Sequence, residues 1–123
     1  MSILKDFYEV ENFESTEGNL SALVKINKEH SIFKGHFPNH PVMPGVCSIQ
    51  IIKELTEKDL GFELRLKTAR NVKFMAIINP EENGLVKFDL NVETIEQNEF
   101  SVRATVFINE TPALKFGGNF IKS

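Results

Sequence analysis

Hydrophobic and polar positions alternate with period two through most of this chain, and in one segment the period lengthens to that of a helix. Residues 20–26, LSALVKI, set Leu20, Ala22, Val24 and Ile26 against Ser21, Leu23 and Lys25. Side chains change face at each step along a strand, so this is a strand with one mostly buried face. A TEGN turn precedes it, and residues 5–15 are expected to supply an earlier partner strand. Residues 85–94 turn Val86, Phe88, Leu90 and Val92 inward and Lys87, Asp89, Asn91 and Glu93 outward. The EQNE at 96–99 reads as a tight turn, after which Phe100, Val102, Ala104, Val106 and Ile108 resume the alternation. NETP then turns the chain into a last strand over 113–121, and 62–74 holds one strand or a bent pair.

The helical segment is GVCSIQIIKELTEKD, residues 45–59. Pro44 stands at its first position, where a missing N–H costs no bond, and Gly61 is suited to end it. Its first half is uncharged, while Lys53, Glu54, Glu57, Lys58 and Asp59 crowd the second. Such a helix is expected to enter a core apolar on all sides and to emerge charged. Before it, three prolines and two glycines between 30 and 45 exclude a regular element and predict a long, shaped loop. The predicted order is strands, loop, one long helix and four or so mostly antiparallel strands. That is an α+β arrangement in two layers, an antiparallel curved sheet around one central helix. One helix leaves much of a sheet uncovered, so a dimer is expected.

Composition narrows this picture. The chain of 123 residues is expected to form one domain, 1–123. No run of 18 apolar residues exists to span a membrane, and the start has no basic stretch followed by an apolar one. A single cysteine excludes an internal disulfide and fits a reducing compartment, so a cytoplasmic location is expected. A net charge of −3, without interleaved basic and aromatic residues, argues against nucleic-acid binding. Eleven phenylalanines beside one tyrosine and no tryptophan suggest core-building. Cys47, on the apolar half of the helix, is expected to be a buried, inert thiol. The three histidines and the scattered carboxylates have no zinc-ligand spacing, so neither a metal nor a cofactor is expected. His30 and His40 read as surface or interface residues.

The segment GHFPNHPVMPGV, residues 35–46, resembles the active-site segment of the (3R)-hydroxyacyl-acyl carrier protein dehydratases, which have the hot-dog fold. The order of elements is similar as well, and ARNVKFMAIINPEENGLVKFDLNV at 69–92 resembles the family's layout after its helix. The N-terminal region is shorter and lacks the family's usual opening. The resemblance implies that His36 is the catalytic histidine and that backbone N–H groups of Gly45 and Val46 hold the thioester carbonyl. It implies that Phe33, Phe37, Pro38, Pro41, Met43 and Pro44 shape the loop and the acyl tunnel. The family's second catalytic residue is a Glu or Asp fourteen positions after the histidine, contributed across a dimer interface; here that position holds Gln50.

Dehydration of a 3-hydroxyacyl thioester needs a base for the C2 proton, donors for the carbonyl and an acid for the leaving hydroxyl. Histidine suits the first task and unpaired N–H groups at a helix start suit the second. An amide cannot transfer a proton, though it can orient a hydroxyl or water. Glu54 lies one turn beyond Gln50 on the same face, about 6 Å along the axis, which is far for a direct replacement. Three readings stand. The first is a dehydratase forming trans-2-enoyl thioesters with His36 doing the proton work. The second is an acyl thioesterase. The third is a non-catalytic acyl-chain or carrier-binding subunit, or the heterodimer partner of an active paralogue. The implied partners are an acyl carrier protein or coenzyme A thioester and a second subunit, as a homodimer, heterodimer or assembly of dimers. Lys28, Lys34, Arg65, Lys67, Arg70 and Lys73 are candidates for a basic rim that steers an acidic carrier, or for a solvated face.

Overall fold

A computed structural model describes residues 6–33, 42–82 and 84–123. The chain begins with a hairpin of β1 (Tyr8–Thr16) and β2 (Asn19–Ile26). A short 3-10 turn at Ser31–Phe33 follows, then the helix α1 (Gly45–Leu60). Four strands complete the fold: β3 (Leu64–Phe74), β4 (Leu85–Glu96), β5 (Glu99–Ile108) and β6 (Thr111–Lys122). All pairings are antiparallel, in the order β1-β2-β4-β5-β6-β3. The result is a curved six-stranded sheet wrapped around one long central helix, the hot-dog architecture.

The predicted inward residues are the ones that build the core. Val24, Val86, Phe88, Val102, Val106 and Phe120 are fully buried and join Ile51, Ile52 and Leu55 of α1 in one apolar cluster. The β1–β2 turn needs its glycine: Gly18 has φ +83°, and a Cβ there would stand 2.5 Å from the Val92 carbonyl oxygen. That carbonyl's own residue donates its N–H back to the Gly18 carbonyl at 2.7 Å, tying the turn to β4.

Segment 62–74 holds a single strand, β3, which begins at Leu64. Its period is broken because two residues, Lys67 and Arg70, are bulged out of the pairing with β6. The last strand starts at Thr111, so the turn before it is shorter than the NETP reading implied.

The helix differs from expectation in two respects. Pro44 is the residue before the first turn, the N-cap, and it makes no side-chain cap. The buried residues Cys47, Ser48, Ile51, Ile52, Leu55 and Thr56 form one stripe along the whole length. The uncharged first half is therefore not enclosed on all sides: Val46 is 63% exposed, and Ile49 and Gln50 are half-buried. A single sheet contacts a helix on one face only. Gly61 ends α1 as expected, at φ +85°, donating its N–H to the Glu57 carbonyl at 2.8 Å.

Candidate functional site

The start of α1 is where the sequence placed the chemistry. His36, Phe37, Pro38, His40 and Pro41, with Lys34, lie outside the described residues. Phe33 and Met43, on either side of that segment, are both buried. Met43 donates its N–H to the Ile78 carbonyl at 2.8 Å, which ties the end of the loop to the segment after β3. Because Pro44 offers no capping oxygen and the first turn has no acidic residue, the N–H groups of Gly45 and Val46 face no side-chain acceptor of their own helix. The first helical bond of this turn runs from the Cys47 N–H to the Pro44 carbonyl at 2.9 Å.

Gly45 is needed here for space. A Cβ on it would come within 2.3 Å of the Phe74 ring, so the end of β3 lies against the backbone of the helix start. Sequence reading missed Phe74, since its neighbour in space is 29 positions earlier in the chain.

One turn further on, three side chains meet. The Gln50 amide donates from Nε2 to Oε2 of Glu54 at 2.8 Å, and the Tyr8 hydroxyl donates to Oε1 of the same carboxylate at 2.6 Å. The axial offset expected to separate residues 50 and 54 is bridged by their side chains. A carboxylate only accepts, so Gln50 must present its nitrogen, which turns its amide oxygen the other way. Burial, together with the Glu54 carboxylate it bonds, holds the Tyr8 phenol well above its usual range, so it remains a donor. Tyr8, the one tyrosine of the chain, was also missed; nothing in its own strand marks a contact 46 residues away.

The remaining candidates sort as follows. Cys47 is buried as expected, and desolvation pushes its thiol up to about 11. His30 is more than a surface residue: its Nδ1 accepts the Ile32 N–H at 3.1 Å and its ring stands edge-on to Phe7. Lys67 of the expected basic rim is paired with Glu99 at 2.8 Å. Among the described residues no group of three His, Cys, Asp or Glu could hold a metal ion, and no helix is long and apolar enough to cross a membrane.

Comparison with known proteins agrees with this architecture. The family described as ApeI-like, ApeI dehydratase, matches residues 12–111. A 3-hydroxyacyl-[acyl-carrier-protein] dehydratase, FabZ, of Rickettsia africae (strain ESF-5) is 28% identical over 96 residues, covering 72% of this chain. The chain spans 66% of that relative's length. The FabZ of Lactobacillus helveticus (strain DPC 4571) is 30% identical over 105 residues, covering 80% of this chain and 68% of the relative. Among solved structures, the dehydratase heterocomplex ApeI:P from Xenorhabdus doucetiae superposes with a TM-score of 0.70 at 17% identity, covering 93% of this chain and 97% of that one. A hypothetical thioesterase with coenzyme A from Streptococcus pneumoniae TIGR4 does so with a TM-score of 0.68 at 9% identity, covering 98% and 90%. At such identities the two structures speak for the fold alone. The family match runs through most of the chain and takes in both the loop and the helix start: this chain belongs to the ApeI-like dehydratase family, with the hot-dog fold.

Proposed function

We propose that the protein dehydrates (3R)-3-hydroxyacyl thioesters, carried by acyl carrier protein or coenzyme A, to trans-2-enoyl thioesters. The observation that carries this reading is the uncapped start of α1 at Gly45–Val46, which follows the histidine-bearing segment in sequence. Its N–H groups, which have no side-chain cap among the described residues, and the positive end of the helix dipole suit a thioester carbonyl whose oxygen gains charge as the C2 proton leaves. His36 takes that proton, the C3–O bond breaks, and the same histidine returns the proton to the departing hydroxide, releasing water. Gln50 orients the hydroxyl through its amide, which the Tyr8–Glu54 pair holds in place. Phe33 and Met43 line the acyl end of the site, with Phe37 and Pro41.

The site takes a second subunit. Strand β3 is an edge strand with exposed Leu66, Val72 and Phe74, and Ile77 (68% exposed) and Val46 extend the same apolar character to the helix start. Of the solved structures with this fold, the ApeI:P dehydratase is a heterocomplex and the hypothetical thioesterase of Streptococcus pneumoniae was solved with coenzyme A, which supports a partner subunit and a thioester carrier here. Because Gln50 stands where the family has its acid, the partner is either a second copy or a paralogue that supplies the carboxylate.

The test is turnover of 3-hydroxyacyl and trans-2-enoyl thioesters on both carriers, reading double-bond absorbance and free thiol together. Double-bond turnover lost in His36→Ala supports the dehydratase. Thiol release dependent on His36 makes it a thioesterase. Silence, with activity appearing on addition of a paralogue, makes it the non-catalytic subunit.

A further inference from the structure

The face of the sheet turned away from α1 holds a groove of about 720 Å³ that the thioester chemistry does not use. Arg70, Lys73, Arg103 and Lys115 line it. Lys73 pairs directly with Lys115, and Arg103 pairs with Gly117, which in turn pairs with Asn71. Strands lie about 4.8 Å apart and successive same-face residues about 7 Å, so the four cations gather within roughly 12 Å. Among the described residues none of the four is in an ion pair. The one carboxylate in the lining, Asp89, has its cation already in Lys87 at 3.7 Å. Like charges directly opposite on a sheet are destabilising. Of the chain's 17 acidic residues, none among those described forms an ion pair with these four cations.

A Cβ at Gly117 would meet nothing nearer than 3.7 Å, whereas at Gly118 it would strike the Phe116 ring at 2.6 Å and the Thr68 carbonyl at 2.7 Å. Gly118 is therefore needed for packing and Gly117 is not. The β3 bulge at Arg70 falls opposite this pair of glycines and re-aims the arginine over the outer face. There Arg70 donates to the Ser101 hydroxyl at 3.2 Å, and its Nη2 lies 3.8 Å from where the Gly117 Cβ would be. Two guanidiniums and two ammoniums around a hollow with amide and hydroxyl walls (Asn71, Thr105) match phosphate oxygens in charge and geometry.

We propose that this groove binds a phosphate-bearing small molecule of about the size of a nucleoside diphosphate, with its phosphates over Gly117 between Arg70, Arg103 and Lys115. The volume lies in the range of small-ligand sites, and the cations suit a ligand with at least two negative charges. The site lies across the sheet from the helix, so it does not depend on the reading of the thioester site.

The experiment is calorimetric titration of the full chain with ADP, inorganic pyrophosphate and adenosine, at low and high salt. ADP and pyrophosphate are expected to bind with a Kd below about 1 mM, weakening as salt rises, and adenosine is expected not to bind. Arg103→Gln with Lys115→Gln should weaken binding by at least about tenfold. Gly117→Val should abolish it, because its γ carbons fill the hollow beneath Arg70. The same change leaves the melting temperature unchanged or raised, since valine suits a strand better than glycine. If Gly117→Val fails to fold, the double glutamine variant carries the test. No binding of ADP or pyrophosphate at about 1 mM overturns the proposal, as does binding indifferent to these variants. Binding of an acidic carrier protein alone, lost in the same variants, also overturns it, in favour of a protein-docking face.

Discussion

Gln50 is bound to Glu54, so the substitution that would restore a family-like acid changes more than one group. In Gln50→Glu two carboxylates would face each other where an amide now donates at 2.8 Å. Close carboxyls hold a proton to higher pH than in the unfolded chain, so stability is intact below about pH 4 and is lost as pH rises through the raised value. Urea unfolding of this variant should show a loss of about 1 kcal/mol at pH 8 that disappears at pH near 4. Tyr8→Phe removes the other donor to Glu54 and should cost about 1 kcal/mol in the same experiment. Cys47 makes a pH prediction of its own. Its thiol is raised from 9.0 to about 11, so its contribution is complete below pH 9 and is lost as pH rises toward 11. Denaturation curves across that range should fall more steeply for the native chain than for Cys47→Ala.

At the scale of elements, the strands that read cleanly were those whose two faces meet different solvents. β2, β4 and β5 alternate because the helix covers one face and water the other. β3 did not read cleanly: it is exposed at every residue but Leu64, and its two bulges break the period. β6 has the opposite feature, a glycine at 118 that lets the backbone of the bulged strand approach. Gly118→Ala should destabilise by about 2 kcal/mol, since the new methyl meets a backbone carbonyl that cannot yield as a flexible side chain would. Chemical denaturation beside Gly117→Val, expected neutral, separates the two neighbours. The helix was legible in its ends and its type, but which face lay open was not. An uncharged stretch looks the same in sequence whether its own sheet or another subunit covers it.

For the whole molecule, the uncovered surface runs from β3 to the start of α1, through Phe74 (62% exposed), Ile77 and Val46. An edge strand of eleven residues with these side chains invites pairing with a second sheet. A Phe74→Glu, Ile77→Glu variant should run as a monomer by light scattering while the native chain runs as a dimer. Its turnover of thioesters should fall with the loss of the second subunit. A native chain that is monomeric alone and dimeric only with a paralogue would support the heterodimer instead.

By itself, the sequence determined the fold type and pointed to a place for the candidate chemistry. Period-two and helical patterns depend on which face is buried, and burial is written in neighbouring residues. A short motif before a helix is local in the same sense, so His36, Gly45, Val46 and Gln50 could be singled out without coordinates. Tertiary structure alone decided what those residues touch. Tyr8 reaches Glu54 across 46 positions, Phe74 covers Gly45, and Arg70 and Lys73 join Arg103 and Lys115. Each of these contacts is made between segments brought together by sheet register and bulges. Register is set by the sum of many pairings, and no single stretch of the chain contains it.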